Sequence, residues 1–274
     1  MNWNKAKTIL IIAFIILNVF LFYEVQDANN ESYEGLSDEF INHVVEKLLE
    51  KNIVIEGEVP EEIYKKPLLE VEYYLVTRED VAKYIGEDYE EVLENTLFTN
   101  EEGSYVRIEN NKKLIYNIRD VNGSLEISKE DALQIIDKYK ENQNMDIDDY
   151  KLDLIVKKDN IYEVIYKRYY EGNFLENDYY KFIIDNIGVA GFETQRISKI
   201  EPKEGLITVT SAYESLLRLK NENPEEKTII NKIEICYYTD ENIEGWENIL
   251  RANMDPTWKV ITERGNIKYL TEVE

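Results

Sequence analysis

His43 is the single histidine of this 274-residue chain and Cys236 its single cysteine. Serine and cysteine nucleophiles need a base within hydrogen-bond reach, so any such chemistry would have to run through His43. That residue falls between apolar positions of a predicted helix, and no G-x-S-x-G motif accompanies it; a structural role is expected. Cys236 lies among Ile233, Ile235 and Tyr237 in a predicted strand and reads as packing. One cysteine also means that no intrachain disulfide can form. Calcium is a fair question for a chain with 56 acidic residues. Asp240, Asn242, Glu244 and Gly245 match the start of an EF-hand loop, but the twelfth position is Arg251 where a bidentate Glu belongs. The cluster Asp146, Asp148 and Asp149 lacks the turn glycine and reads as a solvated loop. A glycosidase needs two placed carboxylates, and nothing in the sequence singles out a pair. Walker, dinucleotide, zinc and kinase signatures are absent. No catalytic, cofactor-binding or metal-ligating residue is therefore assigned. The expectation is a regulatory or binding protein, not an enzyme. A tethered envelope ligand-binding or protease-inhibitor module is the alternative, and a carboxylate-based wall hydrolase a more distant one.

The elements that would carry these residues follow from periodicity. Phe40, Ile41, Val44, Val45, Leu48 and Leu49 recur at helical spacing, with Ser37 or Asp38 as the cap. Strands are predicted at 53–55 and 68–76. A short helix capped by Thr77 and Asp80 ends at Gly86, and extended segments follow at 96–99, 105–109 and 114–118. Asn110-Asn111 marks a hairpin turn, and Asn122-Gly123 a domain boundary. Beyond it one theme is stated twice: a helix capped by Ser128 with strands at 150–157, 161–170 and 179–185, then a helix from Thr210 or Ser211 with strands at 231–239, 257–262 and 267–273. The expected organisation is an N-terminal module over 36–123 and a C-terminal region of two helix-plus-three-strand units, 124–200 and 205–274. This is an α+β plan of helices on antiparallel sheet.

Before these modules, twelve of the fifteen residues from Thr8 to Phe22 are Leu, Ile, Val or Phe. As a helix, residues 6–23 would span about 27 Å, close to the hydrocarbon thickness of a bilayer. Lys5 and Lys7 precede the run and Glu24, Asp27 and Glu31 follow it, so the N-terminus is expected in the cytoplasm and the remainder outside it. No small-x-small cleavage site follows, and the segment reads as an uncleaved single-pass anchor covering residues 1–25, with a linker over 26–35. Ile11, Phe14, Ile15, Asn18 and Phe22 share one helical stripe; a buried Asn amide in lipid seeks a hydrogen-bond partner, which makes this stripe the expected transmembrane partner contact. The formal charge of −24 opposes nucleic-acid binding and favours solubility of the exported part.

Both ends of the chain resemble one family. The opening Met1-Asn2-Trp3-Asn4-Lys5-Ala6-Lys7-Thr8-Ile9, with Phe14, Leu17-Asn18 and Phe20-Leu21, is similar to the start of the YycI (WalI) family. The helix Ala212-Tyr213-Glu214-Ser215-Leu216-Leu217 and the terminal Asp255-Pro256-Thr257-Trp258-Lys259-Val260, with Tyr269 on the next strand, resemble the same family. The middle is matched by architecture alone. The resemblance implies a membrane-anchored accessory regulator of the WalK/WalR (YycG/YycF) two-component system, which governs cell-wall metabolism in Gram-positive bacteria. It implies a heterodimer with a YycH-like sister protein, contact with a WalK-like sensor histidine kinase, and tandem modules similar to PepSY or cystatin-like domains. The chain departs from the family picture at its extreme C-terminus, where residues 269–274 lack a Gly-containing turn, and in its marked acidity.

Overall fold

The computed structural model describes residues 36–271 except 123 and 222–225, together with the isolated residues Lys7, Phe14, Leu17 and Asn18. In the continuous part, helices α1 (Asp38–Leu49), α2 (Arg78–Ile85), α3 (Lys129–Asn142) and α4 (Ala212–Leu216) accompany sixteen strands. The capping chemistry read from sequence sets the helix starts. Ser37 Oγ accepts from the Phe40 amide, and Thr77 with Asp80 and Ser128 with Asp131 form reciprocal capping boxes. Gly86, at φ 84°, ends α2 in a conformation that L side chains rarely adopt. Ser211 caps α4, which tightens after one turn into a 3-10 helix over Leu217–Asn221.

The strands are β1 (Ile53–Ile55), β2 (Lys65–Lys66), β3 (Leu69–Tyr73), β4 (Glu90–Leu93), β5 (Leu97–Thr99), β6 (Tyr105–Glu109), β7 (Lys113–Asn117) and β8 (Tyr150–Lys158). They continue with β9 (Ile161–Tyr170), β10 (Asn173–Asp185), β11 (Gly188–Gln195), β12 (Ile197–Pro202), β13 (Ile207–Thr208), β14 (Thr228–Tyr238), β15 (Arg251–Thr262) and β16 (Ile267–Leu270). Fourteen of them form one sheet in the order β12-β3-β15-β14-β10-β11-β7-β6-β5-β4, with β1 beside β14, β16 beside β15, and β9 then β8 beside β10. The contacts of β14 with β1 and with β10 are parallel, and the remaining pairs are antiparallel. The fold is α+β and mostly sheet.

Apolar burial divides this sheet into halves. One core gathers Val81 and Ile85 of α2, Ala132 and Ile136 of α3, and Phe98, Val106, Tyr116, Val164, Phe182 and Phe192 from the strands beneath them. A second joins Val44 and Leu48 of α1 and Leu216 of α4 to Ile53, Ile230, Ile233, Trp258 and Val260. A third packs Leu69, Val71 and Tyr73 against Leu175, Tyr237, Trp246 and Met254. Space therefore groups the chain differently from sequence order. Helix α1 and strand β1 pack with the C-terminal strands, and across the expected boundary at residue 123 the sheet continues, Tyr116 of β7 pairing with Phe192 of β11.

Five strands were not expected: the two-residue β2 and β13, and β4, β11 and β12. Strand β10 begins at Asn173 rather than 179, because the expected loop at Gly172 is a two-residue turn, with Glu171 at φ 45° and Gly172 at φ 89°. The Asn110-Asn111 turn forms as the spacing predicts, both residues at positive φ and the Lys112 amide donating to the Glu109 carbonyl at 3.1 Å.

Candidate functional site

The densest chemistry lies where β10 changes partners. Its first residues pair with Tyr169 and Tyr170 of β9 and with Cys236 and Tyr237 of β14. From Tyr179 onward it pairs with β9 and β11, and the register breaks between Phe174 and Tyr179. Within that break stand Glu176, Asn177 and Asp178, all three buried. Strand β8 has its own break between Leu152 and Leu154, which leaves Asp153 as the extra residue. A bulge re-aims a side chain that regular pleating would place elsewhere. These two bulges turn Asp153 and Glu176 onto the same lysines.

Lys259 of β15 is fully enclosed. Its Nζ lies 2.6 Å from Asp153 Oδ1, 3.1 Å from Glu176 Oε1 and 3.3 Å from Glu234 Oε1. Register supplies the last contact, since Glu234 of β14 and Tyr269 of β16 stand directly opposite Lys259 on either side. Lys167 of β9, also buried, contacts Asp153 Oδ2 at 3.0 Å and Glu176 Oε2. The Tyr269 hydroxyl donates to Glu176 Oε2, and its ring stacks on Tyr238 at 3.9 Å. Two ammonium groups thus face three carboxylates, with the Phe174 ring 5.3 Å from Lys259 Nζ. Burial pushes the Asp153 carboxyl up, but Lys167 and Lys259 outweigh it, and the group ends below its ordinary value. Lys259 balances likewise: burial favours the neutral amine, yet Glu176, Asp153 and Glu234 hold it more firmly charged than a free lysine. Burial and the Glu176 charge together push the Tyr269 phenol up.

The neighbouring bulge residues serve separate clusters. Asn177 donates to the Thr239 carbonyl at 3.0 Å and to Glu241 Oε1 at 2.6 Å, and accepts from the Thr239 amide at 2.9 Å. Asp178 accepts from the Tyr150 hydroxyl and stands 3.5 Å from Arg168. Burial outweighs both partners and raises Asp178 from 3.8 to about 6. On the other side of the seam Lys112 leaves the β6–β7 turn and is buried, donating to the Trp246 and Ile249 carbonyls with its Nζ 4.2 Å from the Trp246 ring centroid. Burial lowers its pKa, although Glu241 and Glu247 counteract this.

This seam joins the halves of the molecule: β8 and β9 belong to the first core, and β14, β15 and β16 to the second. These enclosed, paired side chains hold the strands in register. Sequence reading missed all of these residues. The available signal was charge inside otherwise apolar strands, as in Thr257-Trp258-Lys259-Val260-Ile261 and Phe174-Leu175-Glu176-Asn177-Asp178-Tyr179.

Residues singled out from sequence lie elsewhere. Phe14 and Asn18 are helical, and the Asn18 side-chain amide donates to the Phe14 carbonyl at 2.9 Å. Ile11, Ile15 and Phe22 lie outside the described residues. Among the described residues no helix is long and apolar enough to cross a membrane. His43 is exposed on α1. Cys236 is buried, its Sγ 3.4 Å from the Thr257 carbonyl, and burial raises its thiol pKa well above the ordinary value. Asp240 accepts from the Asn242 amide at 2.9 Å, while Arg251 pairs with Glu72 at 2.8 Å. Asp146, Asp148 and Asp149 are exposed. Among the described residues no three His, Cys, Asp or Glu side chains gather as a metal site.

No family model and no curated protein matches the chain. Solved structures do. A YycH structure from Bacillus subtilis superposes with a TM-score of 0.59 at 11% identity, covering 79% of this chain and 54% of the other. An uncharacterized protein from Eubacterium rectale gives 0.48 at 11% identity, over 85% and 93% of the two chains. The YpeB C-terminal domain from Bacillus megaterium gives 0.35 at 12% identity, over 87% and 99%. The chain spans about half the length of the YycH structure, and the likeness is one of fold.

Proposed function

We propose that the chain is a membrane-anchored, extracytoplasmic regulator of a WalK-like sensor histidine kinase that controls cell-wall metabolism. It acts without catalysis, through protein contacts made by its anchor and its folded region. The observation that carries this reading is the likeness of fold to YycH over 79% of the chain. YycH is the sister protein of the family that both ends of the sequence resemble, and sister subunits of related fold are suited to pairing. The apolar run at 8–22 supplies the anchor, and residues 6–23 meet the lipid bilayer. The folded region pairs with a YycH-like partner, and the pair biases the kinase between two signalling states through differential contacts.

The test is replacement of residues 8–22 by a polyleucine helix in the host bacterium, with export checked by protease accessibility. The reading expects intact export and a kinase output, measured from a wall-metabolism reporter promoter, shifted as far as in the deletion strain. An output equal to that of the unmodified strain would refute a regulatory role for the anchor. Failure of the deletion strain itself to differ would refute regulation of this kinase altogether.

A further inference from the structure

Strand β4 ends the fourteen-stranded sheet; among the described residues it pairs with β5 alone, with a register break between Glu91 and Leu93, and the other side of its backbone is unmatched. All four of its residues are exposed, and Val92 and Leu93 keep 50% and 58% of their surface in water. Beside them opens a groove of about 520 Å³ walled by Val92, Leu93, Leu97, Tyr105 and Ile108. Charge on an edge blocks unwanted pairing, which accounts for Glu90 and Glu91. It does not account for two adjacent aliphatic side chains left in water above an apolar groove.

The surroundings are acidic. Glu87, Asp88, Glu90, Glu91 and Glu94 fall within eight residues. Among the described residues only Glu91 of these five has an ion-pair partner, Arg78 at 2.8 Å. Arg107 on the groove wall is held by Glu109 at 3.1 Å. A second copy of this chain would bring the same carboxylates against one another, and like charges across a strand pair are unfavourable.

We propose that β4 is a strand-addition site for an extended segment of a partner protein in which basic and aliphatic residues alternate. Backbone hydrogen bonds to the open edge hold the segment, its aliphatic side chains enter the groove, and its basic ones lie in the field of the carboxylates around the edge, Glu87, Glu90 and Glu94 among them. The site stands on this geometry, independently of the kinase reading.

The experiment uses the full chain in detergent and two fluorescent hexapeptides, one alternating lysine with valine and one alternating glutamate with valine. The lysine peptide is expected to bind, to slow amide exchange over residues 90–93, and to bind at least tenfold more tightly than the glutamate peptide at low salt. Val92→Pro should weaken binding at least tenfold. Because proline could disturb the strand, the double charge reversal Glu90→Lys with Glu94→Lys serves beside it on exposed side chains, and should invert the preference between the peptides. Equal binding of both peptides, protection elsewhere than 90–93, or an unchanged preference in the reversal variant would overturn the proposal. So would a β4-dependent dimer of the chain alone in sedimentation, since the occupant would then be a second copy.

Discussion

Replacing Lys259 by Met keeps the volume of the aliphatic stem and removes one charge from the seam. Lys259 is wholly enclosed and contacts Asp153 at 2.6 Å, Glu176 at 3.1 Å and Glu234 at 3.3 Å. Without it, Lys167 alone faces three carboxylates. Removing one member of a buried ionic group leaves charge uncompensated, and costs about 3–5 kcal/mol. The pH dependence gives a second, sharper check. In the parent protein the Asp153 carboxyl lies below its ordinary value, so its contribution to stability is present above that value and fades as pH falls through the lower, folded one. In Lys259→Met, Asp153 loses the closer of its two cations and stays buried, so desolvation raises its carboxyl. The raised group destabilises the fold at neutral pH, and protonation relieves this as pH falls through its raised value. Urea unfolding at pH 7.5 and pH 5 should show a gap of at least 3 kcal/mol between parent and variant that narrows in acid. A gap below about 1 kcal/mol at pH 7.5, or one that widens at pH 5, would refute an electrostatic role for the seam.

Asp178→Asn should act in the opposite direction. A carboxyl raised from 3.8 to about 6 costs about 3 kcal/mol when ionised, at about 1.4 kcal/mol per pH unit, so the variant gains up to that amount at pH 7.5. The gain vanishes near pH 4, where the folded carboxyl is already protonated, and urea titrations at the two pH values measure it. Gly191→Ala tests the junction of β7 with β11. A Cβ there would stand 2.4 Å from the Tyr116 carbonyl oxygen, and the variant should lose about 2 kcal/mol and exchange faster at the amides of residues 113–117.

How far sequence reading reached depended on the range of the interaction that fixes each feature. The starts of α1, α2 and α3 are set by side chains three residues apart, and Ser37, Thr77 with Asp80, and Ser128 with Asp131 could be read directly. The Asn110-Asn111 turn is equally local. Strand β4 has no alternation to betray it, since Glu90-Glu91-Val92-Leu93 is exposed throughout. Strand β11, Gly188–Gln195, contains two glycines that look like loop until Gly191 is seen against the Tyr116 backbone. The seam was least legible. Period-two reasoning assigns Asp153 and Glu176 to faces by counting, and a bulge at each position breaks the count. Nor does local sequence say that Lys167 and Lys259, ninety-two positions apart, converge on one carboxylate.

The placement of charge at those bulges follows from the task of β10. This strand must leave β14 after Leu175 and take up β11 from Tyr179, with β9 paired on its other side before and after the break. Apolar side chains alone specify such a hand-over poorly, because Leu and Val pack tolerably in a register displaced by two residues. Carboxylates do not. If Glu176 moved along the strand it would take one carboxylate away from both Lys167 and Lys259 and bury it without them, and Asp178, now held by Tyr150 and Arg168, would lose both partners. Each displaced group would carry its full desolvation cost, whereas an ion pair in place contributes little more than an apolar pair of the same size. The seam therefore discriminates between registers more strongly than it stabilises the correct one. That asymmetry fixes how the first and second cores are joined across β10.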